Sequence, residues 1–176
     1  DDPLEAKALA QQLHLYNAER RELERGVLEE AIERAEALLQ DNLILLVDGD
    51  GWHPGVIGIV AARLKEKYNR PACVIAFDEN GIGKASGRSV STIDLGAAVL
   101  SAKENGLLLN GGGHKMAAGF TVARDQFAAL AEYLNSHARE QLDGQPYAPE
   151  LRIDSVLSLH ALTMDLVGKH GMLAPN

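Results

Sequence analysis

Two short apolar runs with a helical segment between them constrain the fold of this chain more than any other feature. Leu43–Val47 and Ala72–Phe77 have the length and composition of buried strands. Between them, apolar residues recur at helical spacing from Pro54 to Tyr68, and Asn69-Arg70-Pro71 ends the pattern. A strand, a helix and a second strand in this order are typical of an α/β unit.

The other elements of this unit are predicted from turn residues and periodicity. We expect a turn at Asp48–Gly51, a third strand over 82–89 and a fourth strand over 119–122. Ser91 with Asp94 three residues later has the pattern of a capping box and predicts a helix over 93–103. A last helix is predicted over about 125–140. The fold class is therefore α/β.

The residues before and after this unit differ from it in pattern. Residues 1–42 predict an amphipathic helical arm, with Asn17 as a candidate break, whose apolar stripe must pack on the following domain or on something outside this chain. Asp143–Pro149 has the composition of a linker. Residues 151–176 are too short to fold alone, and the chain stops at Leu173–Asn176 without a closing element. We expect this segment to be the truncated start of another domain.

Composition and charge limit the kind of protein and its partners. No apolar run approaches the roughly 18–20 residues of a membrane span, so we expect a soluble protein without a membrane partner. The single cysteine, Cys73, lies in the second strand and predicts a buried thiol in a reducing cytoplasm. The net charge is −8, but residues 42–124 carry a local +2 between acidic flanks. A phosphate-bearing ligand is thus compatible with the central region.

The main candidate site is Gly111-Gly112-Gly113, followed by His114 and Lys115. Three consecutive glycines lose much conformational freedom on folding, so a bare backbone must be needed there. Successive unhindered N–H groups can form a nest for an anion, His114 can donate a hydrogen bond and Lys115 adds a cation. A ligand-free turn would explain the glycines alone, but the adjacent His-Lys and Ala-Ala-Gly favour a phosphate cradle.

Ser86-Gly87-Arg88-Ser89 is the second candidate, because an arginine fork beside two hydroxyls can bind a phosphate. A strand end with one solvated arginine explains it equally well, unless the strand brings Arg88 beside the glycines. A third candidate is the helix start after His53, whose N-terminus could face an anion. Close packing of the helix on a strand is the stronger explanation for Gly55 and Gly58. For Trp52, the stronger explanation is that its side chain covers the edge of the core.

Metal ligands and nucleophiles are not apparent in the sequence. Asp48 and Asp50 could bind a metal, but Asp-Gly-Asp-Gly is also ordinary turn sequence. The histidines outside the motifs are scattered singly, at His14, His137, His160 and His170. We therefore predict no metal ion bound by this chain alone and no catalytic residue in it.

In their order, these motifs resemble a known domain family. Trp52–Ala61, Arg70-Pro71, Ala85–Ser89 and Gly111–Phe120 are similar to the DHHA1 domain of the bacterial RecJ family, the single-stranded-DNA-specific exonucleases of the DHH phosphoesterase superfamily. The resemblance implies a DHHA1-type mixed sheet flanked by helices over 43–140, preceded by the arm over 1–42. Residues 17–21 of the arm resemble the stretch that follows a DHH catalytic domain. Residues 141–176 would be a linker and the start of an OB-type domain.

The same resemblance implies a function. The parent protein would be a 5′-to-3′ exonuclease of DNA repair and recombination, whose DHH domain holds two divalent metal ions, Mn²⁺ or Mg²⁺, and activates a water for attack on the phosphodiester. By motif match, Ser86 and Arg88 would hold phosphates near the 5′ end. The phosphate being cleaved, or its neighbour, would contact Gly111, Gly112, Gly113 and His114, with His114 a candidate phosphate stabiliser.

The resemblance also implies a cytoplasmic monomer, with single-stranded-DNA-binding protein as a candidate partner. The Asp-His-His metal motif is missing from this sequence, so the chain alone should bind weakly and hydrolyse nothing. Two alternatives remain: a nanoRNase or cyclic-dinucleotide phosphodiesterase, and a non-hydrolytic binding module like that of alanyl-tRNA synthetase. The tail after residue 150 disfavours the first, and the motifs at Trp52–Gly58 and Ser86–Ser89 disfavour the second.

Overall fold

The computed structural model describes residues 3–148, 153 and 155–172. Pro149, at the end of the predicted linker, and Leu173–Asn176 lie outside the described residues. The elements alternate after a long first helix, and in chain order they are α1 (Pro3–Leu38), β1 (Leu45–Asp50), α2 (Ile57–Tyr68), β2 (Ala72–Phe77), β3 (Ile82–Arg88), α3 (Leu95–Glu104), β4 (Asn110–His114), β5 (Ala117–Ala123), α4 (Phe127–Gln141) and α5 (Met164–Gly171). Single turns of 3-10 helix lie at Arg124–Gln126 and Leu159–Ala161.

The strands form one five-stranded mixed sheet in the order β1-β2-β3-β5-β4. Strands β1 and β2 are parallel, as expected for two strands joined by a crossover helix, and every other pair is antiparallel. Strand β4 lies at the end of this order, so its outer edge has no partner among the described strands. The expectation of an α/β fold with a mixed sheet, flanking helices and a preceding helical arm is confirmed.

Each face of the sheet has its own hydrophobic core. On one face, Ile75 of β2 and Phe120 of β5 belong to a core shared with α3 and α4. On the other face, Val47 of β1 and Val74 of β2 belong to a core shared with α1 and α2. Because β2 is buried on both faces, all of its residues are apolar.

The second face is covered only in part. Helix α2 reaches as far as β3, where Gly58 lies against Ser86 and Arg88. Beyond β3, the side of β5 and β4 that faces away from α3 is open: Gly119 is exposed, and a Cβ on Gly112 would meet no heavy atom within 4 Å. The sheet therefore presents an open face, which we define as the surface of β3, β5 and β4 on the side of α2.

Helix α1 is continuous through Asn17, so the predicted break is wrong. Only its C-terminal part packs on the domain, through buried Val27, Ala31 and Ala35. Toward its N-terminus, Leu9, Leu13 and Tyr16 are exposed large apolar side chains. No helix in the described part of the chain is long and apolar enough to cross a membrane.

Three predicted boundaries are wrong for identifiable reasons. Strand β1 continues through the predicted turn to Asp50, because its pairing with β2 runs as far as Phe77 and only Gly51, at φ 71°, turns the chain. Helix α2 begins at Ile57, after an irregular turn that contains Pro54. The cap of α3 is Asp94, whose side chain accepts a hydrogen bond from Ala97 N at 2.9 Å, so the predicted capping box is incorrect.

The remaining predicted elements agree with the structure except at their ends. The third strand ends at Arg88, one residue earlier than predicted. The strand predicted over 119–122 is longer and spans Ala117–Ala123. The last helix begins at Phe127, after a turn of 3-10 helix.

Burial raises the pKa of the Cys73 thiol from 9.0 to about 12. Since the thiolate is the reactive form, we expect iodoacetamide to modify the folded chain about three orders of magnitude more slowly than the denatured chain at neutral pH. Because the pKa of Cys73 is higher in the folded state, burial of the neutral thiol stabilises the fold below about pH 9. This stabilisation is lost as the pH rises toward 12. Alkylation rates with and without denaturant test this expectation, and fast modification of the folded protein would contradict it.

Candidate nucleic-acid interface

Strand register places Arg88 and His114 in one row across the sheet. Arg88 of β3 is opposite Ala117 of β5, and Ala117 is opposite His114 of β4. Directly opposed residues of antiparallel strands share a face, so all three belong to the open face. Two strand spacings separate the Cα atoms of Arg88 and His114 by about 10 Å.

A second, parallel row contains Ser86, Gly119 and Gly112. It lies beside the first row on the same face, because alternate residues of a strand point to the same side. Ser86 and Arg88 of β3 therefore lie on the same face as Gly112 of β4. This was the condition under which the two motifs form one site. Gly112 and Gly119 have no side chains, so the floor between Ser86 and the sheet edge is bare backbone.

The guanidinium of Arg88 is positioned from β3 and keeps unused donors. Its Nη1 donates to Ser86 Oγ at 3.1 Å and to the carbonyl oxygen of Gly87 at 2.9 Å. Neither Nε nor Nη2 has a hydrogen-bond partner within the described residues, and no described carboxylate forms an ion pair with Arg88. The fork is thus half-buried, held in place and available to an anion.

Gly58 brings the first turn of α2 against this arginine. A Cβ at Gly58 would lie 3.1 Å from Ser86 Oγ and 3.3 Å from Arg88 Nη2, so a larger residue would displace these side chains. The expectation that Gly58 serves helix-on-strand packing is confirmed, whereas Gly55 precedes the helix and lies against His53. A helix N-terminus carries positive partial charge, so two positive groups face each other here. An anion bound beside Arg88, next to this helix start, would be stabilised by both.

The three glycines form extended strand β4, not a turn or a nest. None of them has a positive φ, whereas a nest needs a residue in the left-handed region. Gly112 lies on the open face, and Gly111 and Gly113 lie on the α3 side. A Cβ at Gly111 would lie 3.1 Å from Val99 Cγ1, and one at Gly113 would lie 2.5 Å from the carbonyl oxygen of Ala117. Packing therefore explains two of the glycines.

His114 ends β4, just before the two-residue connection Lys115-Met116. Its side chain is exposed and makes no hydrogen bond to any residue that the structure describes. The connection itself is held firmly, because Lys115 O accepts from Leu95 N at 3.1 Å and Met116 O accepts from Ser89 N at 2.9 Å. The imidazole is therefore a free donor on a fixed backbone.

This geometry occurs within a recognised domain. The family model described as "DHHA1 domain" matches residues 40–140. This chain belongs to the DHHA1 domain family.

Proteins that are similar to this DHHA1 chain include RecJ exonucleases. It is 34% identical over 176 residues to "Single-stranded-DNA-specific exonuclease RecJ" of Bacillus subtilis, covering 99% of this chain and 22% of that protein. With the RecJ of Thermus thermophilus it shares 39% identity over 138 residues, covering 78% of this chain and 19% of the relative. The crystal structure of RecJ in complex with Mn²⁺ from Thermus thermophilus matches with a TM-score of 0.68 and 35% identity, over 80% of this chain and 20% of that one. The chain thus spans about a fifth of the length of these proteins.

The open face of this DHHA1 domain contains a third row that sequence reasoning missed. Lys84 of β3 is opposite Thr121 of β5, which is opposite Asn110 of β4. The sequence signal for Lys84 was its spacing of two from Ser86, which puts both on one face of a strand.

Other candidate residues of the DHHA1 domain have structural contacts. Trp52 covers a core edge as expected: it is buried, its Nε1 donates to Glu30 at 3.2 Å and the Arg34 guanidinium lies 4.8 Å from its ring. His53 is exposed, and its Nδ1 accepts from Gly55 N at 3.0 Å.

The two strand-end aspartates of the DHHA1 domain face Arg124, on the side of the sheet opposite the open face. Across residues 3–148, 153 and 155–172, no group of three or more His, Cys, Asp or Glu side chains is placed to hold a metal ion.

Proposed function

We propose that this chain is the DHHA1 part of a RecJ-type single-stranded-DNA-specific exonuclease, which degrades DNA from the 5′ end in repair and recombination. One observation carries the proposal: the register gathers Ser86, Arg88, Gly112 and His114 on one open sheet face, with no described carboxylate paired to the arginine. The similarity to RecJ proteins over most of the chain supports the choice of single-stranded DNA as the ligand.

Each group on the face has a distinct part in holding the strand. The 5′ phosphate binds to the Arg88 guanidinium and the Ser86 hydroxyl beside the N-terminus of α2, where it accepts charge-assisted hydrogen bonds. The sugar-phosphate backbone crosses the bare floor at Gly112. His114, about 10 Å from Arg88 across the sheet, donates to the phosphate that is cleaved or to its neighbour.

Hydrolysis requires groups that this chain does not supply. Divalent ions, Mn²⁺ or Mg²⁺ as in the matching RecJ structures, provide an activated water when bound. We propose that their ligands belong to a catalytic domain outside this chain, so that the chain alone is inert. The exposed apolar side chains of α1, among them Leu9, Leu13 and Tyr16, would pack against that domain.

The finer assignments follow from the same proposal. Residues 1–42 would connect to the catalytic domain, residues 43–140 would form the DNA-holding domain and residues 141–176 would lead into an OB-type domain. The protein would act as a monomer in the cytoplasm, with single-stranded-DNA-binding protein as a partner.

The proposal predicts that Arg88→Ala in the full-length protein weakens binding of 5′-phosphorylated single strands at least about tenfold, because one charged hydrogen-bonded pair contributes about 1.5 kcal/mol or more. Arg88→Lys should not restore the affinity, since a point charge cannot replace the fork. Fluorescence titrations over a range of salt concentrations measure the loss and the number of phosphate contacts.

The matched control is Arg63→Ala, which removes an exposed arginine of α2 that is near Glu24 and Glu66. We expect this control to bind like the unchanged protein. Equal affinities for Arg88→Ala and Arg63→Ala would remove Arg88 from the site.

A further inference from the structure

The row formed by Lys84, Thr121 and Asn110 extends the open face beyond the groups used so far. Lys84 lies four residues before Arg88 on the same strand, so their Cα atoms are about 13 Å apart. A strand of DNA that has its 5′ end at Arg88 and crosses the sheet over Gly112 and Gly119 would therefore meet Lys84 at an internal nucleotide. The row is continuous with the proposed 5′ site because both lie on one sheet face.

A depression of ≈ 400 Å³ separates the two ends of this row. Lys84 lines one side, Asn110 lines the other, and Gly112 and Gly119 are among the residues between them. The depression opens on the same bare floor that the Ser86 row crosses. Its volume is large enough for a sugar-phosphate unit to lie on the backbone.

The polar groups around this depression are donors without partners. Lys84 Nζ and Thr121 Oγ1 form no hydrogen bond or ion pair with the residues described by the structure. Asn110 Oδ1 accepts from Gly111 N at 2.9 Å and from Lys103 Nζ at 3.2 Å, which leaves the Asn110 amide nitrogen as the free group. An ammonium, a hydroxyl and an amide nitrogen that line one depression can donate hydrogen bonds to a phosphate.

We propose that Lys84, Asn110 and Thr121 form a second subsite, which binds the phosphate of an internal nucleotide of the single strand whose 5′ end is held at Arg88. This proposal rests on the proposed function of the face. Lys84 is a positioning residue: it fixes the path of the strand across Gly112 and Gly119 and contacts no reacting atom. Its contribution therefore depends on the length of the strand.

Lys84→Gln in the full-length protein tests the subsite with 5′-phosphorylated oligothymidylates of about two and about twelve nucleotides. We expect about five- to tenfold weaker binding of the longer strand, with a salt dependence reduced by about one phosphate contact. Binding of the dinucleotide should not change, because it does not reach Lys84. The control is Lys67→Gln, which removes a lysine of α2 that pairs with Glu36 of α1. It should leave both affinities unchanged.

The outcomes distinguish the proposed second subsite at Lys84 from the proposed 5′-phosphate site at Arg88. Equal loss for both lengths, or no loss for either, would overturn the subsite. If Arg88→Ala weakens both lengths while Lys84→Gln weakens neither, the second subsite fails and the 5′ site stands. If neither variant affects either length, both proposals fail.

Discussion

His114→Ala in the full-length protein is expected to lower turnover by about 10²-fold while leaving thermal stability nearly unchanged. The size of the effect is that of losing a fixed donor to developing negative charge. Stability should not change because the imidazole is exposed and makes no hydrogen bond to the described residues. Turnover of single-stranded DNA and thermal unfolding, measured on one preparation, give both quantities.

If His114 had only a structural role, the opposite result would be expected. Its loss would lower stability by roughly 1–3 kcal/mol and leave turnover per folded molecule intact. His137→Ala is a useful reference, because His137 Nδ1 is 3.0 Å from Gln141 Nε2 on α4, away from the open face. A destabilised but fully active His114→Ala protein would contradict the assigned role.

Alanine substitutions at Gly112 and Gly113 are expected to have opposite effects, although the two residues are adjacent. Gly112→Ala should leave stability unchanged or slightly raised, because its Cβ enters open space in an extended backbone. The same methyl group fills the bare floor, so single-stranded DNA affinity should fall at least about tenfold. Gly113→Ala should destabilise the fold by about 3 kcal/mol, because its Cβ would lie 2.5 Å from a backbone oxygen.

Denaturant titrations and DNA titrations of both variants measure these effects. Gly26→Ala is the control, since a Cβ there also meets nothing within 4 Å but lies on α1. It should keep the affinity of the unchanged protein. If Gly112→Ala bound DNA normally, the floor at β4 would not be a contact surface.

Much of the fold follows from the sequence because local signals agree with the final packing. The apolar run of β2 indicates a strand buried on both faces, and the structure has a core on each side of it. The end of α2 is equally local: Asn69 adopts a left-handed conformation, at φ 49°, before Pro71.

The conformation of the glycine segment is a different case. Bare glycines suit a turn by local rules, but pairing with β5 and the approach of Gly96 from α3 hold β4 extended. Such tertiary contacts are not visible in a window of sequence. The extension of β1 through Asp50 likewise depends on pairing with β2, which is distant in sequence.

The residues of the candidate site could be predicted from sequence motifs, but their common position on one face of the sheet could not. Ser86, Arg88 and His114 stand out by residue type, but only the strand order β3-β5-β4 places them on one face. Lys84 belongs to the same face through a spacing of two, yet a single lysine in a strand carries no signal by itself. Gly58 becomes meaningful only once α2 lies against β3.

The most direct test of the binding surface is a backbone amide NMR titration of the 176-residue chain with a short 5′-phosphorylated single strand. We predict concentration-dependent shifts at Ser86, Arg88, Gly112 and Gly119, and none at Leu130 or Leu134 in the core under α4. The shifts should weaken with added salt. Shifts confined to the α3 and α4 side, or no shifts at all in a well-dispersed spectrum at saturating DNA, would contradict the assignment of the open face as the DNA-binding surface.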